Sequence, residues 1–325
     1  MPVPTVRDVH VDAALTNYSS AFIQDAENFV AGRVFAPIPV QHKSDKYFKY
    51  DIGDWFRREV KVRAPGTEAP TGGWRLSTDT YIAERYSIAD DVDHDQVENA
   101  DAAIRPFRDA TDYVTEQLLL EREAQWISAF FADSTWTGSS TGSDITPGTT
   151  WDDAASTPVE DVRTEYVAMA KKTGKRPNVA VAGPETWQHL VDHPDILDRV
   201  KHMRGGERPA QIDQSDLASL FNVDRFLVAW GVENTAAEEV ADSMSFFAGK
   251  HMLLAYAEPN PGLKRPSAGY TFVWQGAFGA GREGNRIRRI EMPEKGPATR
   301  IEGDLYFDMH QVAADLGVFF KDAVS

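Results

Sequence analysis

Two histidines have a spacing that could bind a metal ion. His189 and His193 lie four residues apart, which places both on one face of a helix, where such a pair can share zinc. However, Pro194 would end the helix at His193, and the glutamate that the zinc-protease motif requires is missing from its position. The pattern therefore favours a surface histidine pair over a metal site.

A run of alternating acidic residues matches the first half of the sequence motif of a calcium-binding loop. Asp91, Asp93 and Asp95 follow the D-x-D-x-D order of such loops, whose later positions are a turn glycine and a bidentate glutamate. Here Gln96 replaces the glycine and Ala102 replaces the glutamate. We interpret the run as a solvated acidic linker, with a weak surface cation site as the alternative.

A glycine-rich segment matches the sequence of the dinucleotide-binding fingerprint but not the secondary structure that this fingerprint requires. Residues 279–284 read G-x-G-x-x-G, but that site needs a following helix whose N-terminus holds the pyrophosphate. Residues 285–290 alternate as a strand does, so we predict a glycine turn. The chain also has no cysteine and no phosphate-binding G-x-x-x-x-G-K-[ST] motif. We therefore predict no catalytic residue, no bound metal and no cofactor, while a carboxylate pair brought together by the fold stays open.

The charge of the chain is strongly acidic. Its 325 residues include 50 Asp and Glu against 34 Lys and Arg, a formal net charge of −16. A tight nucleic-acid binder needs a basic stripe that displaces counterions from phosphates, and this chain has none. No apolar run approaches the ~20 residues that span a bilayer. The sequence thus predicts neither nucleic-acid readout nor a membrane span.

The first 90 residues contain the two segments that most need a partner. Prolines near both ends keep the first 40 residues extended as an arm, with a short helix predicted at 21–31. Residues 45–90 are rich in aromatic and β-type residues on both sides of turn formers at 64–73, which predicts a long hairpin. An isolated hairpin is marginal in water, so its aromatic residues are expected to dock on another molecule.

The remaining residues predict a mixed body of helices and strands. The strongest helical pattern covers residues 107–132, about 40 Å at 1.5 Å per residue. Thr157 and Glu160 have the spacing of a capping box at the start of the next helix, which Gly174 ends. Helices and short strands alternate through residue 230, and strands dominate from residue 252, the last at 314–320. These elements indicate the α+β class.

A series of short strings occurs in an order that a known family shares. The strings are Phe22-Ile23, 34–40, 43–50, 53–57, 107–132, 174–178, 183–185, 193–196, 220–224 and 266–272. In their order and local sequence, these segments resemble the major capsid proteins of tailed bacteriophages with the HK97-like fold, over nearly the whole chain.

The resemblance implies a definite domain organisation. It gives an N-terminal arm at 1–41 and an extended E-loop hairpin at 42–90. A peripheral domain with a long spine helix would follow at 91–157, and an axial α/β domain at 158–265. Residues 266–325 would form the return strands of the peripheral domain.

The resemblance also implies a structural protein and not an enzyme. Copies of the chain would form the pentamers and hexamers of an icosahedral shell that encloses double-stranded DNA without sequence readout, since an acidic wall repels the duplex. Because the arm begins close to Met1, any scaffolding protein is expected to be separate; a portal and an optional decoration protein are further partners. The protein would assemble in the host cytoplasm and be carried in the virion.

The residues expected to contact neighbouring copies are aromatic, apolar and basic side chains of the arm and hairpin. Aromatic and arginine residues usually dominate protein interfaces. The opposite interpretation is that these side chains pack on their own subunit, as aromatic residues often do. The candidates are Phe22, Ile23, Phe35, Tyr47, Phe48, Tyr50, Trp55, Phe56, Arg57, Arg58, Lys61 and Trp74.

Other functions stay open at this point. An encapsulin-type compartment or a gene-transfer-agent shell would share the resemblance, and the former would hold protein cargo. A soluble α/β hydrolase, the alternative from another class, would be a small oligomer with a convergent polar pocket.

Overall fold

The chain forms two lobes joined by one long helix, with a hairpin beside them. The computed structural model describes residues 24–50, 52–69, 71–100, 104–203, 212–237, 240–262, 265–276, 285–292 and 298–325, without the side chains of Ala26, Tyr50, Ile52, Trp55, His202 and Met203. The helices are α1 Ala31–Val34, α2 Ile52–Phe56, α3 His94–Glu98, α4 Pro106–Phe130, α5 Pro158–Thr173, α6 Pro184–Asp192, α7 Pro194–Met203 and α8 Gln214–Phe221, with 3₁₀ turns at Ala26–Asn28 and Ala314–Leu316. The strands are β1 Pro37–Val40, β2 Ser44–Tyr50, β3 Leu76–Ile82, β4 Glu84–Asp93, β5 Val179–Ala182, β6 Arg225–Val228, β7 Val232–Asn234, β8 Met244–Phe246, β9 Met252–Ala255, β10 Gly269–Trp274, β11 Asn285–Met292, β12 Ala298–Gln311 and β13 Gly317–Phe320.

The long helix α4 confirms the strongest prediction from the sequence. Pro106 occupies its first turn, where the missing backbone N–H costs nothing, and the helix continues to Phe130. Its buried face includes Val114 and Leu118 in the first half and Trp126 and Phe130 in the second. The two halves pack on different sheets, so α4 holds the two lobes together.

The first lobe is a five-stranded sheet packed on the first half of α4. Its path runs β1-β10-β12-β11, and β4 pairs with the opposite side of β12. Alternation along β12 points Ile301, Leu305 and Phe307 towards the helix. Gly303 is needed for this approach, because a Cβ there would overlap Val114 and lie 2.8 Å from Leu118.

The second lobe is a four-stranded sheet with helices around it. The strand order is β13-β9-β5-β6, and β5 and β6 run parallel, as the helical crossover between them requires. A capping box between Asp213 and Asp216 starts α8, and Asn222 ends that helix in the left-handed conformation. The predicted end of α5 at Gly174 is confirmed, and so is the predicted alternation of helices and short strands in this lobe.

The hairpin of β2 and β3 forms a sheet of its own. The strands pair antiparallel from Ser44 opposite Ile82 to Tyr50 opposite Leu76. Only its root contacts the first lobe, where Tyr81 stacks on Phe272 of β10 with ring centroids 4.6 Å apart. The two-stranded hairpin predicted for this part of the chain is therefore present.

Two predicted local structures are wrong. In its described part, the helix expected at 21–31 is replaced by a 3₁₀ turn and by α1, because a buried carboxylate receives the backbone N–H groups of Val30 and Ala31 and starts a helix there. Thr157 makes no side-chain cap at the start of α5. The capping box fails because the Glu160 carboxylate pairs with Arg199 of α7 instead.

Strand pairing also shifts two of the expected boundaries. β4 belongs to the five-stranded sheet through β12, although the predicted E-loop extends to residue 90. β13 pairs with β9 in the second lobe, although the last residues were expected to return to the first. The physical reason is burial, since Val318, Phe319 and Phe320 are fully buried.

Candidate inter-subunit surface

The segment between α2 and β3 carries apolar side chains that nothing in the described chain covers. We call residues 57–75 the E-loop tip. Val60 is 97% exposed and Val62 is 102% exposed. Burying one valine side chain contributes roughly 1.5–3 kcal/mol, so the tip gains free energy if another molecule covers it.

The E-loop tip is also basic in an acidic protein. The heptad 57–63 contains Arg57, Arg58, Lys61 and Arg63 against the single acid Glu59. Arg57 lies 3.8 Å from Asp54 and 3.9 Å from Glu59, distances at which exposed pairs contribute little. Arg63 donates from Nε to the carbonyl oxygen of Thr67, while Arg58 and Lys61 are exposed. The tip therefore presents positive charge at its surface.

Asp54 fixes the geometry where the tip leaves the hairpin. Arg75 donates to it from its backbone N–H at 3.0 Å and from its guanidinium at 2.8 and 3.2 Å. The hydrogen bonds from Arg75 hold the pKa of Asp54 below its ordinary value. The two ends of the tip are thus joined, while residues between them project outwards.

The root of the hairpin is anchored by a polar cluster on the first lobe. The Ile82 backbone N–H donates to Asp308 at 2.7 Å, and His310 Nε2 lies 2.8 Å from the same carboxylate. That hydrogen bond raises the pKa of His310 above its ordinary value. Tyr47 packs on Phe272, and burial raises its pKa. This cluster therefore anchors the root of the hairpin to the first lobe.

The predicted contact residues of the hairpin divide into exposed and self-packed groups. Phe48 and Trp74 are about half exposed, and Phe56 is 59% exposed, its ring lying against Gly174 at the end of α5. Tyr47 is half-buried on its own subunit, which is the opposite of its predicted role. Arg57, Arg58 and Lys61 are exposed. Phe22 and Ile23 lie outside the described residues, as do the side chains of Tyr50 and Trp55.

Phe35 was predicted to contact a neighbour, and this prediction is wrong. The side chain is 1% exposed, and its ring centroid lies 4.7 Å from Phe130 and 6.3 Å from Trp126 of the long helix. These rings offer an apolar complement within the same chain. The described part of the arm is consequently core, not a free surface.

A buried carboxylate that the sequence did not point to holds the arm in place. Glu123 on α4 is fully buried, and its oxygens accept the backbone N–H of Val30 at 3.0 and 3.1 Å and of Ala31 at 2.9 Å. Burial raises the pKa of this carboxyl to about 7. The only signal in the sequence was an acid next to an apolar stripe of the helix, at Trp126 and Phe130.

The outer face of the first lobe is held by a second buried carboxylate. Asp304 accepts hydrogen bonds from Arg85 Nε at 2.7 Å, Ser87 Oγ at 2.8 Å and Arg286 Nε at 3.0 Å. These donors keep the pKa of Asp304 below its ordinary value despite its burial. The cluster links β4, β12 and β11 and thus stabilises the sheet.

His193 of the histidine pair is a buried structural residue. The predicted surface pair is wrong for His193, which is buried, with Nε2 3.1 Å from Ser156 Oγ. Its Nδ1 accepts the Asp195 N–H at 3.2 Å, so Nε2 carries the proton and cannot take one from Ser156. Among the described residues, no group of three His, Asp or Glu could hold a metal ion.

Asp91 and Asp93 do not lie in a linker. Both belong to β4, where Asp91 receives Arg300 at 2.6 and 2.8 Å and Asp93 caps α3 through Asp95 N–H at 3.0 Å. These bonds occupy the carboxylates that a calcium loop would need. The glycine segment 279–284 lies outside the described residues.

The chain contains one further string with a catalytic spelling, G-x-S-x-G at 138–142. A nucleophile elbow requires a strand before the serine and a helix after it. This string lies in a loop, where Ser140 Oγ donates to Glu165 at 2.6 Å and its N–H donates at 2.7 Å. The serine therefore fixes the loop to α5.

The described helices include none that combines the length and apolar character needed to cross a bilayer.

Comparison with known proteins gives one consistent result. A family model described as phage major capsid protein E matches residues 139–232. The chain is 23% identical over 315 residues to a protein named major capsid protein of Pseudomonas phage JBD67, with 97% of each chain covered. Among solved structures, a phage-related protein from Bordetella bronchiseptica RB50 superposes with a TM-score of 0.67 at 18% identity, over 96% of this chain and 97% of that one. A chain of the bacteriophage PhiM1 mature capsid gives 0.58 at 11% identity over 98% of each.

The likenesses extend over both lobes, the long helix and the hairpin, because each structural match covers nearly the full length of both chains. The α+β class and the HK97-like fold that the sequence predicted are thus confirmed. Together, the matched family segment, the full-length phage relative and the fold make this chain similar to the major capsid proteins of phages.

Proposed function

We propose that copies of this chain form pentamers and hexamers that close into an icosahedral shell around double-stranded DNA. The observation that carries the proposal is the E-loop tip, which projects apolar and basic side chains that no described residue of its own subunit covers. In this proposal the tip lies across an adjacent subunit. A contact of this kind is heterologous, and it generates a ring when its rotation closes.

The rest of the subunit supports the proposal by acting as a stiff plate. One half of α4 is buried in the core of each lobe, and the arm segment packs with it in the second, so the two lobes have little freedom to separate. A stable contact buries roughly 1,200–2,000 Å² in total, which a projecting hairpin can supply and a folded-back loop cannot. We assign the second lobe to the axial position around the capsomer centre and the first lobe to the periphery.

The charge of the chain fits a wall that surrounds DNA without reading it. A net charge of −16 repels the duplex, which keeps packaged DNA from adhering to the shell. A separate scaffolding protein, a portal and a decoration protein are proposed partners, with assembly in the host cytoplasm and incorporation into the virion. We further propose that the protein has no catalytic role, which the donor arrangement at His193 supports.

The test is assembly of the intact chain, expressed with the candidate scaffolding gene product of the same genome. Electron microscopy and sedimentation should show shells or capsomers, and particles from infected cells should protect double-stranded DNA from nuclease. Persistent monomers would contradict the proposal, and particles filled with protein cargo would favour an encapsulin-type compartment.

A paired substitution connects assembly to the tip. Val60→Ser together with Val62→Ser should abolish shells, because it removes the apolar side chains without touching the core. Val167→Ser is the matched control, since Val167 is also an exposed valine, 64% exposed on α5. Deletion of residues 64–73 should likewise leave the second lobe folded and impair assembly. Equal shell yields from the tip variants and the control would show that the tip is not needed for assembly.

A further inference from the structure

The second lobe carries an open groove that the fold itself does not fill. The groove, about 360 Å³, lies between α6 and the β7–β8 hairpin. Its lining residues are Pro184, Glu185, Trp187, Gln188, Val191, Asp192, Trp230 and Phe246. The cavity is thus a surface trough with three aromatic side chains in its lining.

Those aromatic side chains are unusually accessible for a folded lobe. Trp230 is 37% exposed and Phe246 is 39% exposed, and their rings meet edge to face with centroids 6.2 Å apart. Met244, on the same hairpin, is 66% exposed. Exposed aromatic clusters of this type mark binding surfaces, because tryptophan side chains contribute much of the affinity of interfaces.

The walls of the groove are acidic. Glu185 and Asp192 line it directly, and Glu233 and Asp242 lie on the exposed part of the hairpin wall. Neither wall segment, 184–192 or 230–246, contains a lysine or an arginine. Within the described ranges, no ion pair to a lysine or arginine is found for any of these four carboxylates. The groove therefore offers an apolar lining with uncompensated negative charge.

We propose that this groove receives residues 57–63 of the E-loop tip of a second copy of the chain. The inference rests on the proposed function, because it names the surface on which the tip lies. The segment is complementary to the groove. Val60 and Val62 can pack on the aromatic lining, and Lys61 and Arg63 can pair with the carboxylates.

The spacing within the segment suits this arrangement. In an extended chain Val60 and Val62 point to one side, and Lys61 and Arg63 point to the other. The long basic side chains can bend back to the carboxylates at the rim while their methylene groups cover apolar surface. Seven extended residues span about 23 Å, whereas α6, with nine residues, is about 14 Å long. The segment is therefore long enough to cross the groove completely.

Disulfide trapping tests the contact directly, because the chain contains no cysteine of its own. We would combine Val62→Cys with Gln188→Cys, since Gln188 is exposed and lines the groove. The matched control pairs Val62→Cys with Ser219→Cys, an exposed position on α8 of the same lobe. Oxidised particles should give a ladder of covalently linked chains for the first pair and monomers for the control.

Two single-cysteine chains decide whether the contact joins different copies. When Val62→Cys and Gln188→Cys are present on separate chains and coexpressed, a covalent dimer is expected. A disulfide found only within one chain would overturn the proposal. Shells in which residue 62 fails to link to residue 188 would overturn the groove assignment alone, whereas absence of shells from the unmodified chain would overturn the proposed function itself.

Charge reversal supplies an independent readout. Glu185→Lys with Asp192→Lys should lower shell yield about ten-fold, because two attractive pairs become repulsive. Lys61→Glu with Arg63→Glu should have a similar effect, and the combination of all four changes should restore assembly. Circular dichroism checks that each variant is folded. If the folded combined variant does not regain its shell yield, the proposed pairing is contradicted.

Discussion

The arm segment 24–40 and the hairpin 44–82 follow one another in the chain and were both expected to contact neighbouring copies, yet they have opposite structures. The arm segment is inserted into the core, where Phe35 packs against Trp126 and Phe130, and Glu123 accepts the backbone N–H groups of Val30 and Ala31. The hairpin is anchored at its root and exposed at its tip.

The difference shows that aromatic composition does not decide where a segment packs. What decides is whether the same chain offers a complement of matching shape and hydrogen-bonding capacity. The arm finds both an apolar slot and an acceptor for its backbone N–H groups, whereas in the described residues Val60 and Val62 find neither. A segment that finds no complementary surface on its own subunit is the one to expect at an interface.

The largest effect should come from removing the ring that fills the slot. Phe35→Ala should lower the free energy of unfolding by about 3–5 kcal/mol, because it leaves a cavity against the long helix. Phe56→Ala, at a ring that is 59% exposed, should change that free energy by less than about 1 kcal/mol. Denaturant unfolding of the unassembled subunit measures both, and similar losses would erase the contrast between the two segments.

The next effect is a pH dependence of the arm contact. The carboxyl of Glu123 has a pKa of about 7 in the folded state against an ordinary value of 4.5, so the folded state retains a proton that the unfolded state releases between these pH values. Its contribution is therefore most favourable below pH 4.5 and is lost as pH rises to 7, by on the order of 3 kcal/mol.

Glu123→Gln should remove this dependence. The free energy of unfolding of the unmodified chain relative to the variant should decline as pH is raised from 5 to about 8. Glu121→Gln, on the same helix but half-buried, is the control and should leave the pH profile in place. A flat difference between the unmodified chain and Glu123→Gln across that range would show that the buried carboxyl is not the titrating group.

A smaller effect is expected at the root of the hairpin. Asp308 raises the pKa of His310, so the stabilisation is present below the ordinary value of 6.5 and is lost as pH rises through the folded-state pKa. Because His310 is a third exposed, the change should stay below about 1 kcal/mol. The protection factor of the Ile82 amide, which corrects for the intrinsic rise of amide exchange with pH, should fall as pH rises through the folded-state pKa of His310, and His310→Gln should abolish this fall. A protection factor that does not change would show that His310 does not stabilise the root of the hairpin.

The smallest effect on stability should be at the tip. Val60→Ser should change the free energy of unfolding by less than about 0.5 kcal/mol, since a fully exposed side chain loses no contacts. Thermal unfolding of the unassembled subunit measures this. A loss above 1 kcal/mol would indicate that the tip packs on its own subunit, which would bring it closer in character to the arm.

Local signals predicted most of the secondary structure. Pro106, Gly174 and Asp213 each set a helix boundary through interactions within a few residues, so their effects can be read from spacing alone. Thr157 has the same kind of signal and fails, because Glu160 is drawn to Arg199, 39 residues away. Caps are predictable until a distant side chain competes for the same group.

The candidate surfaces were predictable only in part. Arg57, Arg58, Lys61 and Trp74 of the tip were among the expected contacts, whereas the exposed Val60 and Val62 were not. Phe35 and Tyr47 were expected at an interface and lie on their own subunit. The groove was not expected, because its walls are α6 and a hairpin separated by some 40 residues of chain, as the interval from 192 to 232 shows. Nothing in either segment indicates that the other lies beside it.

The sequence by itself determined the α+β class, the long helix, the hairpin and the acidic charge, since each depends on composition or on spacing within one segment. Only the tertiary structure decided which of the two aromatic-rich segments packs on its own subunit. That choice depends on Glu123 and Trp126 meeting residues about 90 positions earlier, and it depends on the side of β12 to which β4 pairs. Such contacts are set by the three-dimensional complementarity of surfaces, which no single stretch of sequence contains.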